Sequence, residues 1–425
     1  MKFFGSSGIR ATFDRELLDL ALKVGLAVGS RYESVVMGRD SRTSSVAMSH
    51  ALASGILAAG GECADAGLVP TPTLALAARN FTAGAMITAS HNPPEYNGIK
   101  LFNPDGSAFD TGQQREIEEM VLADSATAPW QKVMSGTDYP GTIERHIARV
   151  RQDIPRELNL KVVVDAGGGA ACLITPRLLR ELGCEVICLN CEPTGFFPRE
   201  PEPTEANLKD LMKVVREAGA DIGIAHDGDG DRMVVVDERG QYLSGDRLLV
   251  ILARDLGASE IVTTVDASMV IDDMGFKTSR TRVGDSFVSQ ALKAGARFGG
   301  EPCGAWVFPQ VSLCPDVIYA AARICDIARR QKLSELAREI PQFPIIRTSI
   351  SGNDIPVSRL KSLLESLGPQ SVDETDGLKL NFGDGWLLVR PSGTEPLIRI
   401  TVEARDNARA RQLCDKTLSL IREGK

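Results

Sequence analysis

The chain has 425 residues, 43% hydrophobic and 24% charged, with 48 Lys and Arg against 56 Asp and Glu for a formal net charge of −8. That length exceeds one ordinary hydrophobic core, so several domains are expected. No block of like charge occurs, which argues against a nucleic-acid surface or an acidic tail, and an anionic ligand then needs a locally basic pocket.

The first residues, "MKFFGSSGIR", break into Gly and Ser before an apolar segment develops, unlike a signal peptide, and no apolar run approaches a membrane span. Within them "FGSSGIR" brackets serines with glycines ahead of Arg10, a pattern suited to approaching a phosphate. Three successive parts of the chain then repeat one order of elements. Each opens with a β-branched run closed by an aspartate: "SVVMGRD" at Asp40, "KVVVDAGGG" at Asp165 and "EIVTTVDAS" at Asp266. A helix, a second strand ("GGECADAG", "GCEVICLN", "GFKTSRTRVGD"), a second helix and a third strand follow in each. The glycines at 167 to 169 lack dinucleotide-loop spacing and suit helix–strand packing. Strands alternating with helices predict three similar α/β domains with mixed, mainly parallel sheets.

The third strands end in polar loops that packing alone does not call for, and loops beyond the carboxyl ends of such strands build binding sites. The first, "AGAMITASHNPPEYNG", presents Ser90 and His91 ahead of Pro93 and Pro94. On an extended chain His91 would point away from Ser90, so no serine–histidine pair is expected. Lys100, about ten residues on from Ser90, is a proton carrier if its pocket lowers its pKa. The second loop, "DGDGDR", sets Asp227, Asp229 and Asp231 at alternate positions, three carboxylates for a hard divalent cation, with Arg232 behind them. An EF-hand ending at Glu238 is disfavoured, because Arg232 stands where that loop needs glycine and strands flank it. In the third loop, "GEPCGAW", Glu301 could accept from sugar hydroxyls or cap a turn.

Nine cysteines, an odd number in a long chain, suggest reduced thiols in a cytoplasmic protein. The spacing of Cys184, Cys188 and Cys191 allows an iron–sulfur cluster, but alternation with Val186 and Ile187 favours a half-buried strand. From about residue 346 the pattern changes to a smaller α+β domain, with a hairpin at Gly383, Asp384 and Gly385. Its loop "RPSGTEP" gathers Arg390, Ser392, Gly393 and Thr394, with Arg399 on the next strand, as a phosphate cradle. The expected domains are 1–140, 141–243, 244–345 and 346–425, around a central cleft.

The four motifs "TASHNP", "DGDGDR", "GEPCG" and "RPSGTEP", in this order, resemble the phosphoserine, metal, sugar and phosphate loops of the α-D-phosphohexomutase superfamily. The segments "TRVGDSFV" and "PREPEPTEANL" are similar to those of phosphoglucosamine mutases and of archaeal members. The resemblance implies a phosphorylated Ser90 with Arg10, His91 and Lys100 beside it, and one Mg²⁺ on Asp227, Asp229, Asp231 and Ser90. It further implies that Arg232, Asp285, Glu301, Cys303, Arg390, Ser392, Gly393, Thr394 and Arg399 meet a hexose phosphate, with a sugar 1,6-bisphosphate as intermediate and activator. The implied protein is a cytoplasmic mutase, monomer or homodimer, without nucleic-acid or membrane partners. A phosphopentomutase, a metal-dependent phosphatase and a sugar-phosphate sensor are the alternatives. Many relatives carry serine, then glycine with histidine or a second glycine, in the sugar loop, where this chain has Cys303, Gly304 and Ala305.

Overall fold

The computed structural model describes residues 3–5, 7–123, 125–351, 356–391 and 397–423. Each of the first three parts of the chain builds the same half-sheet. In the first, Ser34–Arg39 lies between Glu62–Leu68 and Ala83–Ile87, parallel to both. In the second, Lys161–Asp165 is flanked in parallel by Glu185–Leu189 and Ile222–His226. In the third, Glu260–Thr264 stands between Lys277–Thr281 and Gly299–Glu301. The central strands read as unbroken β-branched runs because helices cover both faces, and Val35, Val36, Val162, Val163 and Val164 are fully buried.

An antiparallel strand then follows each third strand: Tyr96–Phe102, Met233–Asp237 and Ala305–Val307. The sheets are therefore mixed, a parallel triplet with an antiparallel return. The polar loops at residues 88–95, 227–232 and 302–304 are the connections that make this reversal. In the first sheet the chain's beginning adds a further strand, Gly8–Thr12, beside Tyr96–Phe102, with Arg10 opposite Gly98. Gly98 is required there, since a Cβ would lie 2.0 Å from the Ile9 carbonyl oxygen.

The second and third parts share one core that runs from Ile147 to Ile340. Their return strands interlock: Met233 N donates to Gly304 O at 2.9 Å, and Trp306 Nε1 donates to Met233 O at 3.0 Å. The last part is an antiparallel five-stranded sheet in the order Ile345–Ser351, Leu397–Ala404, Gly385–Pro391, Leu378–Asn381, Ser371–Asp373. Helices Val357–Glu365 and Asn407–Glu423 supply Leu360, Leu364, Leu413 and Ile421 to its core. Its hairpin turns at Gly383, in the left-handed region, while Gly385 already belongs to the strand.

This sheet docks on the third part through buried polar groups. Glu403, fully buried, accepts from Ser268 Oγ, from Met269 N at 2.8 Å and from Trp386 Nε1 at 2.6 Å. Lys379 Nζ donates to Val265 O at 2.6 Å. A buried carboxylate short of donors would cost several kcal/mol, and these three donors satisfy Glu403 in the contact. The cysteine spacing does not close into a cluster: Cys184 is buried in the shared core, whereas Cys188 is exposed. Among the described residues no helix is long and apolar enough to cross a membrane.

Candidate active site

Ser90 is buried and takes φ +52°, a left-handed backbone that costs a non-glycine residue about 1–2 kcal/mol. Its surroundings hold it there. Ser90 N donates to Thr88 Oγ1 at 2.8 Å. The buried Arg42 donates to four carbonyls of the same loop, Ser90 at 2.8 Å, Asn92 at 2.7 Å, Pro93 at 2.6 Å and Tyr96 at 2.9 Å. Asp40, which ends the first β-branched strand, accepts from Arg42 Nε at 3.0 Å and from Thr88 Oγ1 at 2.7 Å. The loop is thus fixed chiefly by one guanidinium, with the two prolines secondary.

The left-handed turn corrects the expectation for His91. Because the chain is not extended at Ser90, the ring folds back and His91 Nδ1 lies 3.3 Å from Ser90 Oγ. Burial, together with the cations Arg232, Arg10 and Lys100, pushes the His91 pKa down to about 2, so the ring is neutral.

The second loop meets the first directly. Ser90 Oγ donates to Asp227 Oδ2 at 2.8 Å. Gly228 permits this approach, since a Cβ there would stand 2.6 Å from the Ser90 carbonyl oxygen. Asp227, Asp229 and Asp231 are buried and offer oxygens within 4.8 Å of one another, the one such cluster among the described residues. Burial, reinforced by repulsion from Asp229 and Asp231, raises the Asp227 pKa well above the carboxylate range. Asp229 Oδ1 is buried with no hydrogen-bond partner among the described residues. A shared cation satisfies both features, and three carboxylates with a hydroxyl form an all-oxygen donor set that suits Mg²⁺. Glu238 faces elsewhere, accepting from Ser334 N and Oγ, so no EF-hand closes.

Lys100 Nζ donates to Asp229 Oδ2 at 2.7 Å and to Asp231 Oδ2 at 2.5 Å. Burial opposes its charge, but these two carboxylates prevail and raise its pKa. The pocket therefore does not lower it, as the sequence reading required for proton transfer; the cation held between two anions is the reason. Thr71, from a helix start in the first domain, donates to Asp229 Oδ2 at 2.6 Å. Arg10 reaches Asn92 Oδ1 at 3.3 Å, while its buried Nε has no partner among the described residues. Arg232 N donates to Asp227 Oδ1 at 3.1 Å, and its guanidinium pairs with Glu202 at 3.1 Å.

At the third loop, Glu301 Oε2 accepts from Gly284 N at 2.9 Å. Burial, with Asp285 adding repulsion, lifts the Glu301 pKa to about 8. Asp285 opens the helix Asp285–Leu292 and accepts from Ser7 Oγ at 2.8 Å, which ties this segment to the chain's start. Burial also raises the Cys303 thiol pKa, beside Arg232. Ser392, Gly393 and Thr394 lie outside the described residues. Arg390 and Arg399 stand opposite each other on adjacent strands and line a cleft of about 630 Å³ with Asp266 and Arg347. A larger cleft of about 1100 Å³ runs past Tyr242, Asp246, Pro302 and Phe343, and Arg347 borders both.

Sequence reasoning missed Arg42, Thr71, Arg347 and Asp376. Only Arg42 left a signal, as a buried-strand aspartate followed closely by an arginine. Asp376 pairs with Arg390 at 2.9 Å.

Four successive stretches of the chain match known proteins. Residues 1–128, 143–240 and 244–343 match alpha/beta/alpha domains I, II and III of Phosphoglucomutase/phosphomannomutase, and residues 354–420 match its C-terminal domain. A protein of Methanosarcina barkeri called "Probable phosphoglucosamine mutase" is 48% identical, over 96% of each chain. The "Phosphoglucosamine mutase" of Methanocaldococcus jannaschii is 41% identical, over 99% of this chain and 98% of that one. A solved Phosphoglucomutase/phosphomannomutase family protein from Burkholderia thailandensis is 29% identical with a TM-score of 0.87, covering 99% of this chain and 96% of the other. The N-acetylphosphoglucosamine mutase of Aspergillus fumigatus, solved in complex with GlcNAc-6P and magnesium, has a TM-score of 0.59 at 17% identity over 100% and 96%, a likeness of fold.

Proposed function

The chain belongs to the phosphoglucomutase/phosphomannomutase family, and from that premise we propose that it is a phosphoglucosamine mutase, moving a phosphoryl group between the 1- and 6-positions of a hexosamine phosphate. The observation that carries this reading is the hydroxyl of Ser90 held 2.8 Å from Asp227 at the mouth of a three-carboxylate loop. Glucose and mannose phosphates are the nearest alternative substrates.

In this reading Ser90 carries the phosphoryl group. A sugar hydroxyl attacks that phosphorus, the bond to Ser90 Oγ breaks, and a sugar 1,6-bisphosphate forms; after the sugar turns over, Ser90 Oγ takes back the other phosphoryl group. Asp227, Asp229 and Asp231 would hold Mg²⁺, which when bound would supply charge neutralisation for the transferring phosphoryl group. Arg42 and Thr88 keep Ser90 at one point for both transfers, a positioning effect. His91, neutral, can accept a hydrogen bond from Ser90 Oγ or donate one to it, according to its tautomer. Lys100 and Arg10 supply positive charge beside the same point. Glu301, largely protonated near neutrality, can donate to a sugar oxygen as well as accept. Arg390 and Arg399 hold the phosphate that does not react.

A coupled assay of glucosamine, glucose and mannose 1-phosphates side by side tests the assignment. The highest kcat/KM is expected for glucosamine 1-phosphate, without release of inorganic phosphate. Stoichiometric phosphate release would make the protein a phosphatase instead.

A further inference from the structure

We propose that Asp376 is a positioning residue that sets Arg390 in place against the Val283–Gly284 segment, which binds Glu301. One oxygen, Asp376 Oδ2, forms an ion pair with Arg390 Nη2 at 2.9 Å and accepts from Val283 N at 3.0 Å. The next backbone amide, Gly284 N, donates to Glu301 Oε2 at 2.9 Å. Two successive amides of the third domain thus hold the sugar-loop carboxylate on one side and, through Asp376, the phosphate-end guanidinium on the other. The inference rests on the mutase reading above, which gives the two ends one substrate.

The local sequence builds this clamp. Asp373 Oδ1 accepts from Thr375 N at 2.8 Å, starting a turn, and Arg282 Nε donates to Thr375 O at 3.2 Å. Gly377 ends the turn at φ +80°, where a Cβ would lie 2.5 Å from Val389 O and 2.8 Å from Arg390 Cγ. Glycine is therefore what lets the turn press onto the strand beside Arg390.

Arg390 also needs such a partner. It faces Arg399 directly across two strands, and like charges so placed repel. A fork of five donors touched at one nitrogen keeps its other N–H groups for a phosphate while its plane is fixed. Both partners are partly exposed, at 29% and 20% of their side-chain surface. The ion pair itself is thus worth little, and orientation is its contribution.

The test compares wild type with Asp376→Ala and Asp376→Asn, measuring Kd for glucosamine 6-phosphate by calorimetry together with KM and kcat. Asp376→Ala is expected to weaken binding and raise KM about tenfold, the scale of one charge-assisted contact to phosphate lost when Arg390 is no longer oriented, with kcat changed less. Asp376→Asn keeps an acceptor for Val283 N–H and for Arg390 and is expected to stay within about threefold of wild type. If both variants bind as tightly as wild type or tighter, Asp376 merely competes with phosphate and the inference is overturned. A lowered melting temperature with unchanged Kd and KM overturns it as well. Wild type that binds the sugar phosphate without interconverting it would refute the mutase reading while the Kd comparison still decides the clamp; wild type that binds no sugar phosphate would overturn both.

Discussion

Ser90 Oγ lies 2.8 Å from Asp227 Oδ2, although the two residues close different sheets. The contact joins a candidate phosphoryl carrier to a candidate metal ligand, so it can be broken from either side. Ser90→Ala is expected to lower mutase activity by roughly 10³-fold or more, because the carrier atom is gone. Intact-mass measurement should show a phosphate on wild type only, and dephosphorylated wild type should regain activity with catalytic sugar 1,6-bisphosphate. Near-wild-type turnover by the variant would refute the carrier role.

Removal of the cation is expected to abolish turnover and leave the fold. Without it, Asp227, Asp229 and Asp231 face one another in a buried site. Asp227→Asn, which removes the charge that burial and the other two carboxylates most disfavour, should therefore match or exceed wild type in thermal stability in chelator, yet lose most of the stabilisation that Mg²⁺ gives wild type through binding. Melts with and without Mg²⁺ read this directly, and undiminished activity of wild type in chelator would contradict the site.

Glu301 makes stability depend on pH. Its folded-state pKa is raised from 4.5 to about 8, so the folded chain binds more protons than the unfolded chain between those values. The protonated carboxyl's contribution is present below pH 4.5 and is lost as pH rises to about 8. Glu301→Gln should remove that dependence, on the order of a few kcal/mol at most. Denaturant melts of both proteins from pH 5 to 9 are expected to diverge with rising pH in favour of the variant; parallel curves would show that Glu301 is not so perturbed.

Arg42 should prove essential to the serine loop. Arg42→Ala leaves Asp40 buried without its cation and frees four carbonyls. A loss of about 3–5 kcal/mol is expected. Arg42→Lys, which cannot span four acceptors, should keep more of the stability but still lower kcat about tenfold or more, since Ser90 is no longer held. Equal kcat in Arg42→Lys and wild type would show that the prolines suffice.

In the cleft of the last sheet, Arg390→Ala is expected to raise KM by about tenfold or more with a smaller fall in kcat, as loss of ground-state binding to the unreactive phosphate. An unchanged KM for every sugar phosphate tried would remove Arg390 from the clamp.

What the sequence determined by itself was local. β-branched runs, each closed by an aspartate, mark the central strands, and each third strand declares its end by a polar loop. The carboxylate triad at 227, 229 and 231 is legible because three side chains four residues apart at most must stay together whatever the fold. Tertiary structure alone decided the rest. His91 turns toward Ser90 because Arg42, forty-eight residues before Ser90, holds a left-handed backbone in place. Lys100 stays charged because two carboxylates from another domain surround it, and Glu301 holds its proton because burial withdraws it from water. Asp376 is an ordinary turn residue in the sequence and becomes a bridge only when the last sheet docks on Val283. Backbone preference is a property of neighbours along the chain, whereas charge state and reach depend on groups that folding brings from far away into a low dielectric.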